Sequence, residues 1–307
     1  MKLIVPDYYP QFRCIAGACG HSCCIGWEID IDEDTLEVYR NAEGPMGDRL
    51  RANIDFDCDC PHFITGADGR CPFLNKENLC DLILTYGEEC LCGICDMHPR
   101  FRNEFSDRTE MGLGLCCEEA ARLILTNPNP VKLIAIEDDG EDTEADESDL
   151  YLYALRDNAL AVAQDRSFSV AERMEHLAML FDISMPEENP AQWAEFYCKL
   201  ERLDEAWTDC LRSLQQPFPK QEFPQWELAF EQLLVYFLYR HLPAALWDGD
   251  VESKVGFAIL SVQMLQWLCS AKDNVTLADL LDFARMYAGE IEYSDENLEL
   301  LFEALSD

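Results

Sequence analysis

The sequence predicts a mainly α protein: a cysteine-rich, loop-rich metal-binding domain with short helices, followed by a helical bundle. Three observations carry this reading. Thirteen of the 16 cysteines lie within the first 117 residues. An acidic run follows them. Beyond it, apolar residues recur three and four apart, the repeat of helices with one buried face. The cysteine-rich domain is therefore expected over 1–136, an acidic linker or exposed loop over 137–149, and the helical domain over 150–307.

In the first half, turn residues recur at Gly17, Gly20, Gly26, Gly44-Pro45, Gly66, Gly69, Cys71-Pro72 and Gly93. Only short segments fit between them. Two stretches read as helices, Asp34 to Arg40 and Glu118 to Leu125, the latter ending before Asn127-Pro128. Little sheet is expected, because a domain of this kind draws folding free energy from its metal. From Glu137 to Asp149, nine of thirteen residues are Asp or Glu, and like charges in such a run repel. Ser169-Val-Ala-Glu172 and Thr276-Leu-Ala-Asp279 have the form of capping boxes, opening helices at 169–182 and 276–288. Trp193, Phe196, Tyr197, Leu200, Leu203, Trp207, Leu211 and Leu214 make one stripe, which predicts a single long helix. Trp226 to His241 repeats the spacing, Val255, Ala258, Leu265 and Leu268 mark another helix, and Ser294 to Leu305 a last one. At helical spacing these aromatic stripes are core. Cys198, Cys210 and Cys269 sit on the helices as small buried hydrophobes.

Charge narrows the function. With 60 acidic against 23 basic residues and a net charge of −37, nucleic acid and anionic membranes are disfavoured as partners. A basic surface that presents lysines is attracted. No apolar run reaches the roughly 18 residues that would span a bilayer. The apolar start ends at Pro6 and Asp7, too early for a signal-peptide core. A cytoplasmic location is expected, and in that reducing setting dense cysteines indicate metal or redox chemistry in preference to disulfides.

The densest knot is Cys14, Cys19, Cys23 and Cys24, followed by Cys58 and Cys60, Cys71 and Cys80, Cys90, Cys92 and Cys95, and Cys116 and Cys117. Cys19-x3-Cys23 and Cys92-x2-Cys95 would serve as two zinc knuckles. The knot with Cys71, Cys80 or Cys95 suits an iron–sulfur cluster equally well, so spacing leaves iron and zinc both open. His21, His62 and His98 lie near cysteines, where a histidine is more often a hydrogen-bond donor beside a metal than a ligand. The C-x3-C-x2-C loop of radical S-adenosylmethionine enzymes is absent, as is a strand leading into G-x-G-x-x-G. Gly112-Leu-Gly114 lacks the third glycine. No serine, histidine and acid grouping suggests a hydrolase, and the carboxylates are too many for one acid–base pair to stand out.

Phe12-Arg-Cys14-Ile, Cys19 and Cys23-Cys24-Ile-Gly26-Trp27-Glu-Ile-Asp-Ile-Asp32 resemble the opening of the flagellin lysine-N-methylases, within the wider group with a CxxCxxCC-type zinc- or iron-chelating domain. Cys71-Pro72-Phe73-Leu74, Leu79-Cys80, Gly87-Glu88 and Cys95 before His98-Pro99-Arg100 are similar to that family's middle. Cys117 with Glu119-Ala-Ala-Arg122-Leu is similar to its closing segment. The resemblance is close over residues 8–125 and general in the helical half, where Tyr236-Phe-Leu-Tyr-Arg-His241 fits. It implies a metal-associated set of Cys14, Cys19, Cys23, Cys24, Cys71, Cys80, Cys95 and Cys117. It also implies a [4Fe-4S] cluster, with zinc as the alternative, and methyl transfer from S-adenosylmethionine to lysines of flagellin. Eight thiols exceed one cluster's needs. The chain departs from the family pattern at Cys116-Cys117-Glu118, where Ser-Cys-Pro is usual, and in the extra Cys58, Cys60, Cys90 and Cys92.

The leading expectation is a protein-lysine methyltransferase. The alternative is a non-enzymatic metal-binding module, an electron carrier or a zinc-stabilised interaction protein. For methyl transfer the lysine must lose its proton, and direct displacement does not itself require a cluster.

Overall fold

Strand β1 (Lys2–Pro6) precedes the cysteine-rich segment. The computed structural model describes residues 2–140 and 143–306, so Glu141 and Asp142 of the acidic run lie outside the described residues. Contacts divide the chain into Arg13–Arg100 and a second unit that joins the residues up to Phe12 to those from Phe101 onward.

Within Arg13–Arg100, α1 (Glu33–Asn41) starts where the Asp32 carboxylate accepts the Thr35 N–H, satisfying one of the helix's orphan donors. Gly44-Pro45, which reads as a turn, instead opens α2 (Gly44–Ala52). Proline is tolerated in a first helical turn because its missing N–H has no partner there anyway. β2 (Ile54–Asp55) and β3 (His62–Phe63) form an antiparallel pair. Two short helices follow, α3 (Asp81–Tyr86) and α4 (Gly93–Met97), so Gly93 is also a helix start and not a turn. A small apolar cluster holds these pieces: Ile29, Ile31, Leu36, Tyr39, Phe63 and Phe73, together with the buried Cys71 and Cys92.

The second unit contains β4 (Arg100–Glu104), β5 (Arg108–Leu113), α5 (Glu118–Leu125) and β6 (Leu133–Asp138). Its sheet runs β4-β5-β1-β6, with β1 parallel to β5 and antiparallel to β6. Then come α6 (Glu147–Ala163), α7 (Val170–Leu180), α8 (Pro190–Tyr197), α9 (Glu205–Leu214), α10 (Glu227–His241), α11 (Ala245–Asp248), α12 (Val251–Ala271), α13 (Leu277–Tyr287) and α14 (Asp295–Leu305). The capping boxes at Ser169/Glu172 and Thr276/Asp279 are both formed. α10 and α12 are apolar on nearly every face and buried almost throughout, as expected of central helices. Among the described residues, no helix is long and apolar enough to cross a membrane.

Two expectations change. The stripe from Trp193 to Leu214 is two helices, α8 and α9, not one. The Glu290 carboxylate accepts the N–H groups of Leu203 (2.8 Å) and Asp204 (2.6 Å), and Asn297 Oδ1 accepts that of Glu201. Tertiary acceptors thus satisfy donors that a continuous helix would have used, while Asp204 caps α9. The acidic run also has structure at both ends. Glu137 and Asp138 finish β6, and Glu147 starts α6, where Asp149 is buried and accepts the N–H and hydroxyl of Ser106. Acids at the start of a helix complement its dipole, so the charge run holds a helix start that its composition disguises.

Buried carboxylates tie the helices together. Glu231 pairs with Arg166 and Arg173, and Glu110 with Arg156. Glu292, in a π-helical turn after α13, takes Arg240, His241 and the Tyr236 hydroxyl.

Candidate metal centre

Six thiols of the Arg13–Arg100 unit share one electrostatic neighbourhood: Cys24, Cys71, Cys80, Cys90, Cys92 and Cys95. Backbone pairing brings the first two together, since the Cys71 N–H donates to the Cys24 carbonyl at 2.8 Å. Leu74 then bridges to Cys80, which stands at the N-cap of α3. Cys92 holds the same position on α4, one turn before Cys95. A helix N-terminus favours a thiolate over a thiol. Tyr39 lies among them, its hydroxyl donating to the Cys90 carbonyl at 2.7 Å. Burial raises its pKa strongly, and so do Cys92, Cys90, Cys95 and Cys80 around it.

The thiols act on one another. Burial pushes Cys71 up to about 12, aided by Cys24 and Cys80. Burial also raises Cys80 and Cys90, and in each case a neighbouring cysteine adds to the shift. Cys92 and Cys95 share a hydrogen bond that lowers Cys92 and lifts Cys95 far above the ordinary thiol value, with burial, Cys24 and Cys71 adding to the rise. Hydrogen bonding to Cys23, then to Ser22, brings Cys24 down to about 7 against the effect of burial. Thiols crowded like this cannot all ionise without a cation, and a soft metal ion removes that repulsion while taking thiolate ligands. The donor type suits zinc or an iron–sulfur cluster, while among the described residues no three of these sulfurs lie within 4.8 Å of one another. Where the metal-free unit keeps its fold, Cys24 should alkylate with a midpoint near pH 7, well before Cys71, which burial raises to about 12. Iodoacetamide labelling followed by peptide mass mapping checks this.

Of the eight cysteines the resemblance singled out, Cys24, Cys71, Cys80 and Cys95 lie in this group, and Cys23 touches it through Cys24. Cys14 is exposed, and its sulfur accepts the Ala16 N–H. The Cys19 thiol donates to the His21 carbonyl. Cys117 belongs to the other unit, at the N-cap of α5. Against the family pattern Cys90 and Cys92 stood as extras, although spacing had offered Cys92-x2-Cys95 as a zinc knuckle; Cys90 carries no such signal. His98 is held neutral, its pKa lowered to about 4 by burial and by Arg100, with its ring 6.1 Å from that of Trp27.

A cleft of about 990 Å³ in the same unit is lined by Asp30, Asp32, Glu33, Glu37 and Asp59, with Phe56 and Arg40. Asp32 ties this wall to the thiols. Its Oδ2 accepts the N–H of Gly93, next to Cys92, at 2.7 Å, while Oδ1 accepts that of Thr35. Burial opposes its charge, but these two N–H groups win and hold the carboxyl below its usual range.

Residues 187–307 match the FliB lysine N-methylase C-terminal domain. The chain is 28% identical over 134 residues to the flagellar biosynthetic protein FliU of Salmonella muenchen, covering 42% of this chain and 79% of that one. It is 27% identical over 134 residues to the lysine-N-methylases of Salmonella typhimurium and Salmonella choleraesuis, covering 42% of this chain but only 33% of each of those. The homology is distant, and the match spans about a third of the two methylases. No solved structure matches.

Proposed function

We propose that the chain is a protein-lysine N-methyltransferase with a thiolate-bound metal centre, acting on flagellin with S-adenosylmethionine as methyl donor. The observation that carries this is the coincidence of a six-thiol group with a FliB lysine N-methylase C-terminal domain in one chain. Ligands for a [4Fe-4S] cluster, or for zinc, would come from Cys24, Cys71, Cys80, Cys90, Cys92 and Cys95, beside which Cys23 stands through its hydrogen bond to Cys24. Bound there, the centre supplies folding free energy and, if it is an iron–sulfur cluster, a redox-active site.

The acidic cleft suits the substrate. Asp32, Glu33, Glu37 and Asp59 attract an ammonium group, and Phe56 and Leu36 offer apolar surface to a lysine stem. The same charges favour the protonated amine, so capture of the lysine and removal of its proton are separate demands.

The test is anaerobic purification with iron, sulfide and zinc counts, then incubation with flagellin, S-adenosylmethionine and a reductant. Expected are a loaded metal centre and lysines carrying added methyl groups by mass spectrometry. Unmodified flagellin with an intact centre would overturn the reading and leave a metal-binding module.

A further inference from the structure

We infer that the cysteine-rich unit holds a second metal site, for a zinc-like divalent ion, formed by Glu28, Asp30, Cys58 and His62. It goes beyond the proposed methyl transfer and does not rest on it.

The site follows from local strand geometry. Residues 29–31 run antiparallel to 61–63: the Ile31 N–H donates to the Pro61 carbonyl at 2.8 Å, and the Phe63 N–H to the Ile29 carbonyl at 3.1 Å. Asp30 therefore faces His62, whose other neighbour across the pair is Asp55. Side chains alternate along extended chain. Ile29, Ile31 and Phe63 point into the apolar cluster, which turns Glu28, Asp30 and His62 to the opposite face. There the ligand atoms of these three residues all lie within 4.8 Å of one another.

Cys58 stands next to the set, within reach of His62 but outside the 4.8 Å group, and would turn toward the carboxylates on binding. Its sulfur is 3.6 Å from His62 Nδ1, and Glu28 Oε1 is 3.5 Å from the same nitrogen. A tetrahedral zinc ion with bonds of about 2.0–2.3 Å holds its donors about 3.3–3.6 Å apart. One thiolate, one imidazole and two carboxylates make a borderline donor set of the kind zinc accepts and calcium or magnesium does not. Among the described residues, no lysine or arginine pairs with Glu28 or Asp30, so the charge of both is open to a cation. Nδ1 now donates to the Cys60 carbonyl at 2.9 Å, and the Cys58 thiol to the same oxygen at 3.0 Å. On binding, the imidazole proton moves to Nε2 and the thiol proton is released to solvent.

The test counts zinc and iron in the full chain, wild type against His62→Gln and Cys58→Ser, after dialysis against zinc. Each variant should lose about one zinc per chain while iron and sulfide stay unchanged. The zinc absorption edge of the wild type, which needs no variant to fold, should show nitrogen and oxygen ligands beside sulfur. Zinc counts equal in wild type and variants, or a shell of sulfur alone, would overturn the assignment. Neither readout depends on methyl transfer, so this inference and the proposed function fail separately.

Discussion

Exchange of Cys92 for serine is expected to strip the thiol-bound metal and unfold residues 13–100 while the helical unit keeps its structure. Cys92 is fully buried and hydrogen-bonded to Cys95. A serine hydroxyl is a poor ligand for a soft metal ion at neutral pH. The unit around it buries only eleven residues in its apolar cluster. Metal binding in small structural sites supplies about 10–16 kcal/mol, against a net stability of about 5–15 kcal/mol for a typical domain. Losing it should therefore decide whether this unit folds. Metal counts with limited proteolysis check the result: cleavage should concentrate between residues 13 and 100. Protease resistance that survives metal loss would show that the apolar cluster suffices.

The second large effect belongs to the helical unit. Glu292→Gln should lower stability by about 3–5 kcal/mol, the cost of leaving a buried charge without its partner. At about 2–4 °C per kcal/mol for a domain of this size, the melting temperature should fall by roughly 6–20 °C. Glu292 takes His241 Nε2 at 2.6 Å and the Tyr236 hydroxyl at 2.8 Å, with Arg240 Nε at 3.3 Å. Although burial works against its charge, Arg240 and His241 hold its carboxyl below the usual value. Burial also lowers His241 despite Glu292, so the arginine carries the positive charge and a neutral imidazole donates. Both shifts act in one direction with pH. Glu292 contributes stability above its unfolded value that is lost as pH falls through its folded one. The unfolded chain also takes up a proton at histidine that the fold refuses. Thermal melts carried on below the ordinary carboxylate range, where Glu292 itself protonates, should therefore show a steeper loss in wild type than in the glutamine variant. Parallel losses would mean that Glu292 is not the group responsible.

Much of this fold was legible in the sequence. Where a local signal sufficed, it held: Ser169 and Glu172 close a capping box within four residues, and Glu118 to Leu125 forms a helix of that extent. The continuity of Trp193–Leu214 failed because the break depends on Glu290 and Asn297, about ninety residues away, which no window of sequence contains. α6 was hidden because its first turn is made of acids that read as repulsive, although Asp149 finds Ser106. The alternation Glu28-Ile29-Asp30-Ile31 was visible as a pattern. Its meaning came only with the pairing that sets His62 opposite Asp30. Of the cysteines in the candidate centre, spacing exposed the crowding but not membership, because Cys71, Cys80 and Cys90 meet through the fold and not through a motif.

The place of β1 bears on how the chain is made. Lys2–Pro6 sits between β5 and β6, so this strand is synthesised more than a hundred positions before its partners. The cysteine-rich segment emerges whole in that interval and has its own apolar cluster. A metal bound there as proposed would be loaded before the sheet exists to close, and the yield of the finished molecule would then follow metal supply during synthesis.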